Sequence, residues 1–154
     1  MEKIEIEFPD GSKKEYKKGI SGMEIAESIG PRLAKDALAI EVNDKLKDLD
    51  REIKKKKKIR IITYDDPEGK EIFRHSASHI MADAVKRIFP GAKLTIGPAV
   101  EDGFYYDIDK ENPFKPEDIE KIEKEMQKIV KSDKKFKRKE ISKDVALEKF
   151  EDNQ

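Results

Sequence analysis

The stretch SGMEIAESIGP, residues 21–31, sits between two pairs of strand-like runs, and its reading decides the fold. Ser21-Gly22-Met23-Glu24 has the S-x-x-E form of a capping box, in which the serine oxygen takes an N–H of the first turn and the glutamate reaches back to the serine N–H. Gly30-Pro31 ends the amphipathic run, so the spacing predicts one helix of about two turns. Upstream, IEIEF at 4–8 alternates with period two, placing Ile4, Ile6 and Phe8 on one face. Pro9-Asp10-Gly11 and a second run through Tyr16 complete a hairpin. Downstream come LAIEV at 38–42, an Asn43-Asp44 turn, KLKDL at 45–49 and, after a charged loop, IRIITY at 59–64. The order β-β-α-β-β describes a small sheet grasping one helix.

Asp65-Asp66-Pro67 marks the next boundary, with Asp66 suited to an N-cap and Pro67 to the first helical position. A helix is expected to run to Phe89, with Phe73, Ala77, Ile80, Met81, Ala84, Val85 and Ile88 at helical spacing. AKLTIGPAV and GFYYDID, joined by Glu101-Asp102-Gly103, read as two strands and their turn. Residues 116–131 place Ile119, Ile122, Met126, Ile129 and Val130 on one stripe of a further helix, and Ser142 opens a short one to about Phe150. The expected class is α+β in two domains, 1–64 and 65–154.

The 154 residues suffice for two small domains with modest cores. No run of eighteen apolar residues occurs, and MEKIEIEFPDG lacks the profile of a signal peptide, so a soluble, cytoplasmic chain without membrane partners is expected. With no cysteine, disulfides, thiolate metal sites and a cysteine nucleophile are excluded within the chain. The 34 basic and 34 acidic residues cancel, which argues against holding nucleic acid by bulk attraction. The densest basic run, Lys54–Lys58, is solvated edge charge on the simplest reading and a phosphate contact on the alternative one.

The only two histidines, His75 and His79, are four apart, so on a helix they project to one side roughly 40° from each other. Measured from Phe73, they fall at about 200° and 240°, whereas the apolar stripe centres near 30°. They therefore point away from that stripe, either into solvent or into a cleft, with Ala82 and Lys86 on the same side. A zinc site needs three or four ligands. H-x-x-x-H supplies two, Ser76 stands where a zinc protease has its glutamate, and further ligands would have to come from Asp83, Glu101 or Asp102. No metal site is expected here.

Taken together, RHSASHIMADAVKRIFPGAKLTIGPAVEDGFYYDID at 74–109 closely resembles the start of the editing domain of threonyl-tRNA synthetases, with its HSxxH helix, IGP turn and GFYYD strand. PDGS at 9–12, GISGMEIAESIGPRLAK at 19–35 and AIEVNDKLKDL at 39–49 resemble the TGS domain that precedes it, a ubiquitin-like β-grasp fold. FKPEDIEKIEKEM at 114–126 and KRKEIS at 137–142 also follow the family pattern.

The resemblance implies proofreading. Serine lacks only threonine's methyl group, and one methyl discriminates by about 1–3 kcal/mol, so a second, hydrolytic sieve is required. It implies that His75 and His79 bind the terminal adenosine and position or activate water, while Tyr106 and Gly97 shape the amino-acid pocket. The implied partner is tRNA(Thr), through its aminoacylated 3′ end. ATP, magnesium and zinc are expected only in a ligase core outside these residues, as is a homodimer interface. The family's complete editing domain also carries a downstream cysteine and histidine that do not occur by residue 154. The chain is thus expected to hold the first part of that domain and by itself neither to charge nor efficiently to deacylate tRNA. Two other readings are a non-catalytic tRNA-binding module using Lys54–Lys58, and a hydrolase like the alanyl-tRNA editing proteins, which hold zinc.

Overall fold

The computed structural model describes residues 2–135 and 137–151. They form two compact units, Met1–Phe73 and Arg74–Gln154, each with both helices and strands.

In the first unit, β1 (Lys3–Glu7) and β2 (Lys13–Lys17) form the expected antiparallel hairpin, Ile4 opposite Tyr16. Next come the two-residue β3 (Ile20–Ser21), α1 (Gly22–Ile29), α2 (Pro31–Asp36), β4 (Ala37–Val42), β5 (Leu46–Lys47), β6 (Glu52–Ile53) and β7 (Lys57–Thr63). The five-stranded sheet has the order β2-β1-β7-β4-β5, with β1 and β7 parallel and the other pairs antiparallel. Bringing the last strand beside the first requires a crossover, and α1 fills it. Ile25 and Ala26 of α1 are fully buried, and Ile25 packs with Ile4, Ile6, Tyr16, Ile20, Ile40, Val42, Ile53 and Ile59. A β-carbon on Gly22 would come within 2.5 Å of the Ile40 side chain and 3.1 Å of the Leu49 carbonyl, so a glycine lets the helix start lie this close to the sheet.

Two details differ from the expected pattern. Pro31 ends α1 yet also opens α2, because proline's fixed φ and missing N–H suit the first helical position. KLKDL pairs only through Leu46 and Lys47. The Asn43-Asp44 turn is present, both residues having positive φ (48° and 61°), which hairpin turns demand and asparagine and aspartate tolerate.

α3, Pro67–Ile88, contributes its first turns to the first unit and the rest to the second. A β-carbon on Gly69 would run into the Thr63 carbonyl, so this helix start also depends on a bare backbone. The Asp66 carboxylate turns back to accept the Thr63 N–H at 2.8 Å and an Arg60 N–H at 2.9 Å.

In the second unit the expected long strands are broken. β8 (Lys93–Leu94) pairs with β11 (Ile108–Asp109), and β9 (Ala99–Val100) with β10 (Gly103–Phe104). Between these ladders the chain departs from sheet geometry, since Pro98 has no N–H to donate. α4 (Pro116–Lys131) occupies the residues expected of it and α5 (Lys143–Lys149) is capped by Ser142. Ala84, Val85, Ala92 and Ile122 are buried with Met81, Ile88, Phe89, Leu94, Ile108, Phe114, Met126 and Ile129 around them. Ile119 and Val130 of the expected α4 stripe are instead exposed.

Candidate functional site

Four-residue spacing on α3 brings the two imidazoles into direct contact. Nε2 of His75 and Nε2 of His79 lie 3.0 Å apart, with ring centroids 4.6 Å apart and planes at 84°. Such a bond requires one ring to donate and the other to accept, so the pair is arranged to hold at most one proton between these atoms. Both rings are solvent-accessible. Partial burial, followed by the charge of His75, lowers the pKa of His79 below its ordinary 6.5. A neutral imidazole at the protein surface near pH 7 can accept a proton from water.

The buried face of α3 is turned relative to the expected stripe. Gly69, Ser78, Ala82, Ala84 and Val85 are its buried members, and they centre at roughly 115° from Phe73 rather than 30°; Phe73 itself is 52% exposed. The histidines therefore flank the core instead of opposing it. Ala82, on the histidine side of the wheel, is buried. Lys86 donates to the carbonyls of Pro90 and Ala92, just beyond the helix end.

Ser78 was not singled out by hydrophobic spacing, which passes over polar residues in a helix. Its hydroxyl donates toward the His75 carbonyl at 2.7 Å and the Gly97 carbonyl at 3.2 Å. One turn earlier, Arg74 donates to the Val100 carbonyl at 3.3 Å. The histidine helix is thus tethered twice to the chain after β8, at Gly97 in the irregular segment and at Val100 of β9. Gly97 and Tyr106 are in contact: a β-carbon on Gly97 would overlap the Tyr106 ring. Thr95 and Ile96 are held across from Asp107 by N–H bonds of 3.1 and 2.9 Å. Of the four residues singled out by resemblance, the structure brings together His75 with His79 and Gly97 with Tyr106, and Ser78 joins the first pair's helix to the second pair's turn.

Beside His79 lies a cavity of about 360 Å³, lined also by Ile80, Asp83, Ile129, Val130 and Lys134. Among the described residues no three His, Asp or Glu side chains converge as metal ligands. Asp83 is committed to Arg87 at 2.7 Å. In the first unit, Lys54, Lys56 and Lys58 pair with Glu52, Glu5 and Glu7, so much of the basic run is neutralised locally.

Residues 4–63 match the TGS domain model. Over 149 residues, 97% of the chain, the sequence is 50% identical to the threonine--tRNA ligase of Carboxydothermus hydrogenoformans. The chain is homologous to a stretch of the threonine--tRNA ligases. The Oceanobacillus iheyensis ligase is 49% identical over 99% of the chain and that of Coxiella burnetii 52% over 94%. The chain spans about a quarter of the length of these ligases, 24%, 24% and 22% respectively. The TGS domain coincides with the sheet that grasps α1, and the ligase similarity continues through the histidine helix and the broken hairpin. Among the described residues no helix is long and apolar enough to cross a membrane.

Proposed function

We propose that this chain forms part of the proofreading apparatus of a threonine--tRNA ligase and takes part in hydrolysing seryl-tRNA(Thr). The observation that carries the reading is the His75–His79 pair, tied through Ser78 to the Gly97–Tyr106 contact. Hydrolysis of an aminoacyl ester needs an oriented water, an acceptor for its proton near neutral pH and donors for the developing oxyanion. Water attacks the ester carbonyl and gives its proton to an imidazole, directly or by way of a neighbouring ribose hydroxyl, and the C–O bond then breaks as the ribose oxygen takes up that proton and leaves as an alcohol on the tRNA. A His79 ring biased toward neutrality suits the acceptor role, and the N–H groups of the pair suit the terminal adenosine. The glycine-backed tyrosine suits a small pocket wall, where serine fits and the extra methyl of threonine does not.

The full ligase activity, with ATP and magnesium, and the dimer belong in this reading to a larger polypeptide. Hydrolysis of seryl-tRNA(Thr) tests the proposal, measured for this chain beside a longer one carrying about 70–100 further residues, a length set by ordinary domain size. The longer chain is expected to deacylate efficiently and the present one poorly, and His75→Ala or His79→Ala in the longer chain to abolish hydrolysis. Full activity of the short chain would overturn the division of the site. Undiminished activity of both histidine variants would overturn the assignment. Tight, strongly salt-dependent tRNA binding without ester cleavage would favour the non-catalytic module, and stoichiometric zinc in the purified chain the alanyl-like one.

A further inference from the structure

Ser78 is fully buried within α3, one residue before His79 and three after His75. A serine buried in a helix can satisfy its own hydroxyl on the carbonyl one turn back, and Ser78 does so on His75. The hydroxyl has a single proton, so its 3.2 Å contact with the Gly97 carbonyl is the longer leg of a shared bond, one that Ser78 does not need for its own satisfaction. It is Gly97 that benefits, since the sheet ladders stop on either side of it and Ser78 is the side chain that donates to its carbonyl. The Gly97 carbonyl lies outside both ladders, so the shared hydroxyl bond helps to fix where this partly buried turn lies against the helix. The Tyr106 ring packs directly on the Gly97 backbone, so any shift of the turn carries the ring with it.

We propose that Ser78 is a positioning residue of the histidine site, setting the height of the Gly97–Tyr106 contact relative to the His75–His79 pair. This rests on the reading of that pair as the hydrolytic site. The Arg74 bond to Val100 of β9 holds the chain one helical turn away, so this stretch has two tethers, of which Ser78 is the buried one and lies beside the histidines. Alanine has a higher helix propensity than serine, so Ser78→Ala removes the tether without weakening α3.

The test compares Ser78→Ala and Ser78→Cys with the parent chain by amide and histidine-ring NMR, and by deacylation kinetics in the editing-competent longer chain. In Ser78→Ala the amides of Gly97, Ala99, Tyr106 and Asp107 are expected to shift or broaden, while Ala84 and Val85 of the core and Ile6 and Ile40 of the first unit stay in place. Ser78→Cys, with a weaker donor of similar size, is expected to fall between. The value of kcat/KM for seryl-tRNA is expected to fall about five- to tenfold, the usual weight of one hydrogen bond. That loss lies chiefly in KM, and the pH profile is unchanged. Unmoved Gly97 and Tyr106 amides in both variants would overturn the proposal, as would a loss confined to kcat with an altered pH profile. If no polypeptide cleaves seryl-tRNA, the proofreading reading fails, and the NMR comparison still decides whether Ser78 positions the Gly97–Tyr106 contact.

Discussion

Nε2 of His75 stands 3.0 Å from Nε2 of His79, close enough that protonating both rings sets two cations edge to edge. Partial burial first, then the neighbouring ring's charge, pulls the His79 pKa below 6.5. A histidine harder to protonate in the folded state contributes stability that is present above its unfolded pKa and lost as pH falls through the lowered folded value. The His79 ring carbons, followed by NMR, should therefore titrate with a midpoint below 6.5. His75→Ala should move that midpoint only part of the way back, because burial is the larger cause. A midpoint at or above 6.5 in the parent chain would remove the basis for a neutral His79 ring at pH 7.

Gly97→Ala drives a β-carbon into the Tyr106 ring. Tyr106 is partly exposed and can swing outward, so the expected cost is near the low end of the 1–3 kcal/mol typical of overpacking. The displaced ring no longer rests on the Gly97 backbone. Tyr106→Ala should relieve the clash, making the double variant more stable than the two single changes add up to. A cycle of four melting curves measures this coupling, and strict additivity would mean that the ring and the glycine do not press on each other.

Periodicity and cap chemistry made α1, α3, α4 and the first hairpin legible from sequence, because each rests on local rules. The i, i+4 spacing likewise placed the two histidines on one side of the helix, and the structure adds that the rings touch. The irregular course at 95–107 was not legible: the apolar alternation of AKLTIGPAV and GFYYDID suggests continuous strands, and only packing reveals that Gly97 yields its place in the ladder to the Tyr106 ring. Ser78 escaped for a similar reason, since its role depends on a carbonyl nineteen residues away. The pairing of Gly97 with Tyr106 came from family resemblance, and spacing alone offered no route to it.

Arg60 on β7 is 31% exposed and holds three carboxylates at once: Glu41 opposite it on β4 at 3.0 Å, Asp66 at 2.9 Å and Glu68 at 3.0 Å. Its own pKa is raised, chiefly by the bond to Glu41. Arg60→Met keeps the stem and leaves three acids facing one another. A loss of about 1–2 kcal/mol is expected, less than for a fully buried pair because water reaches the cluster. Glu68 is held below its ordinary 4.5 by its own backbone N–H first and Arg60 second. Its stabilisation is present above that value and lost as pH falls through the lowered one. The gap between parent and variant in urea denaturation should therefore be widest near neutral pH and narrow below about 4.5. A gap that stays constant down to pH 3 would show that Arg60 acts through packing of its stem and not through its charge.

The capping box at Ser21 and Glu24 is complete: the Glu24 N–H donates to Ser21 Oγ at 3.2 Å and the Ser21 N–H to Glu24 Oε2 at 2.9 Å. Ser21→Ala removes one half, and about 1 kcal/mol of stability should go with it. The other half is readable by pH. The Lys17 ammonium at 2.7 Å, then the Ser21 N–H and hydroxyl, hold the Glu24 carboxyl down at about 2. Because the folded pKa is depressed, the carboxylate's contribution is fully present above the unfolded value of about 4.5 and disappears as pH falls toward about 2. Urea midpoints of the parent and Glu24→Gln between pH 2 and 6 should converge at the acid end and separate steadily as pH rises to about 4.5, with the parent above. Parallel curves across that range would mean that the box is held by geometry alone, with no contribution from the charge of Glu24.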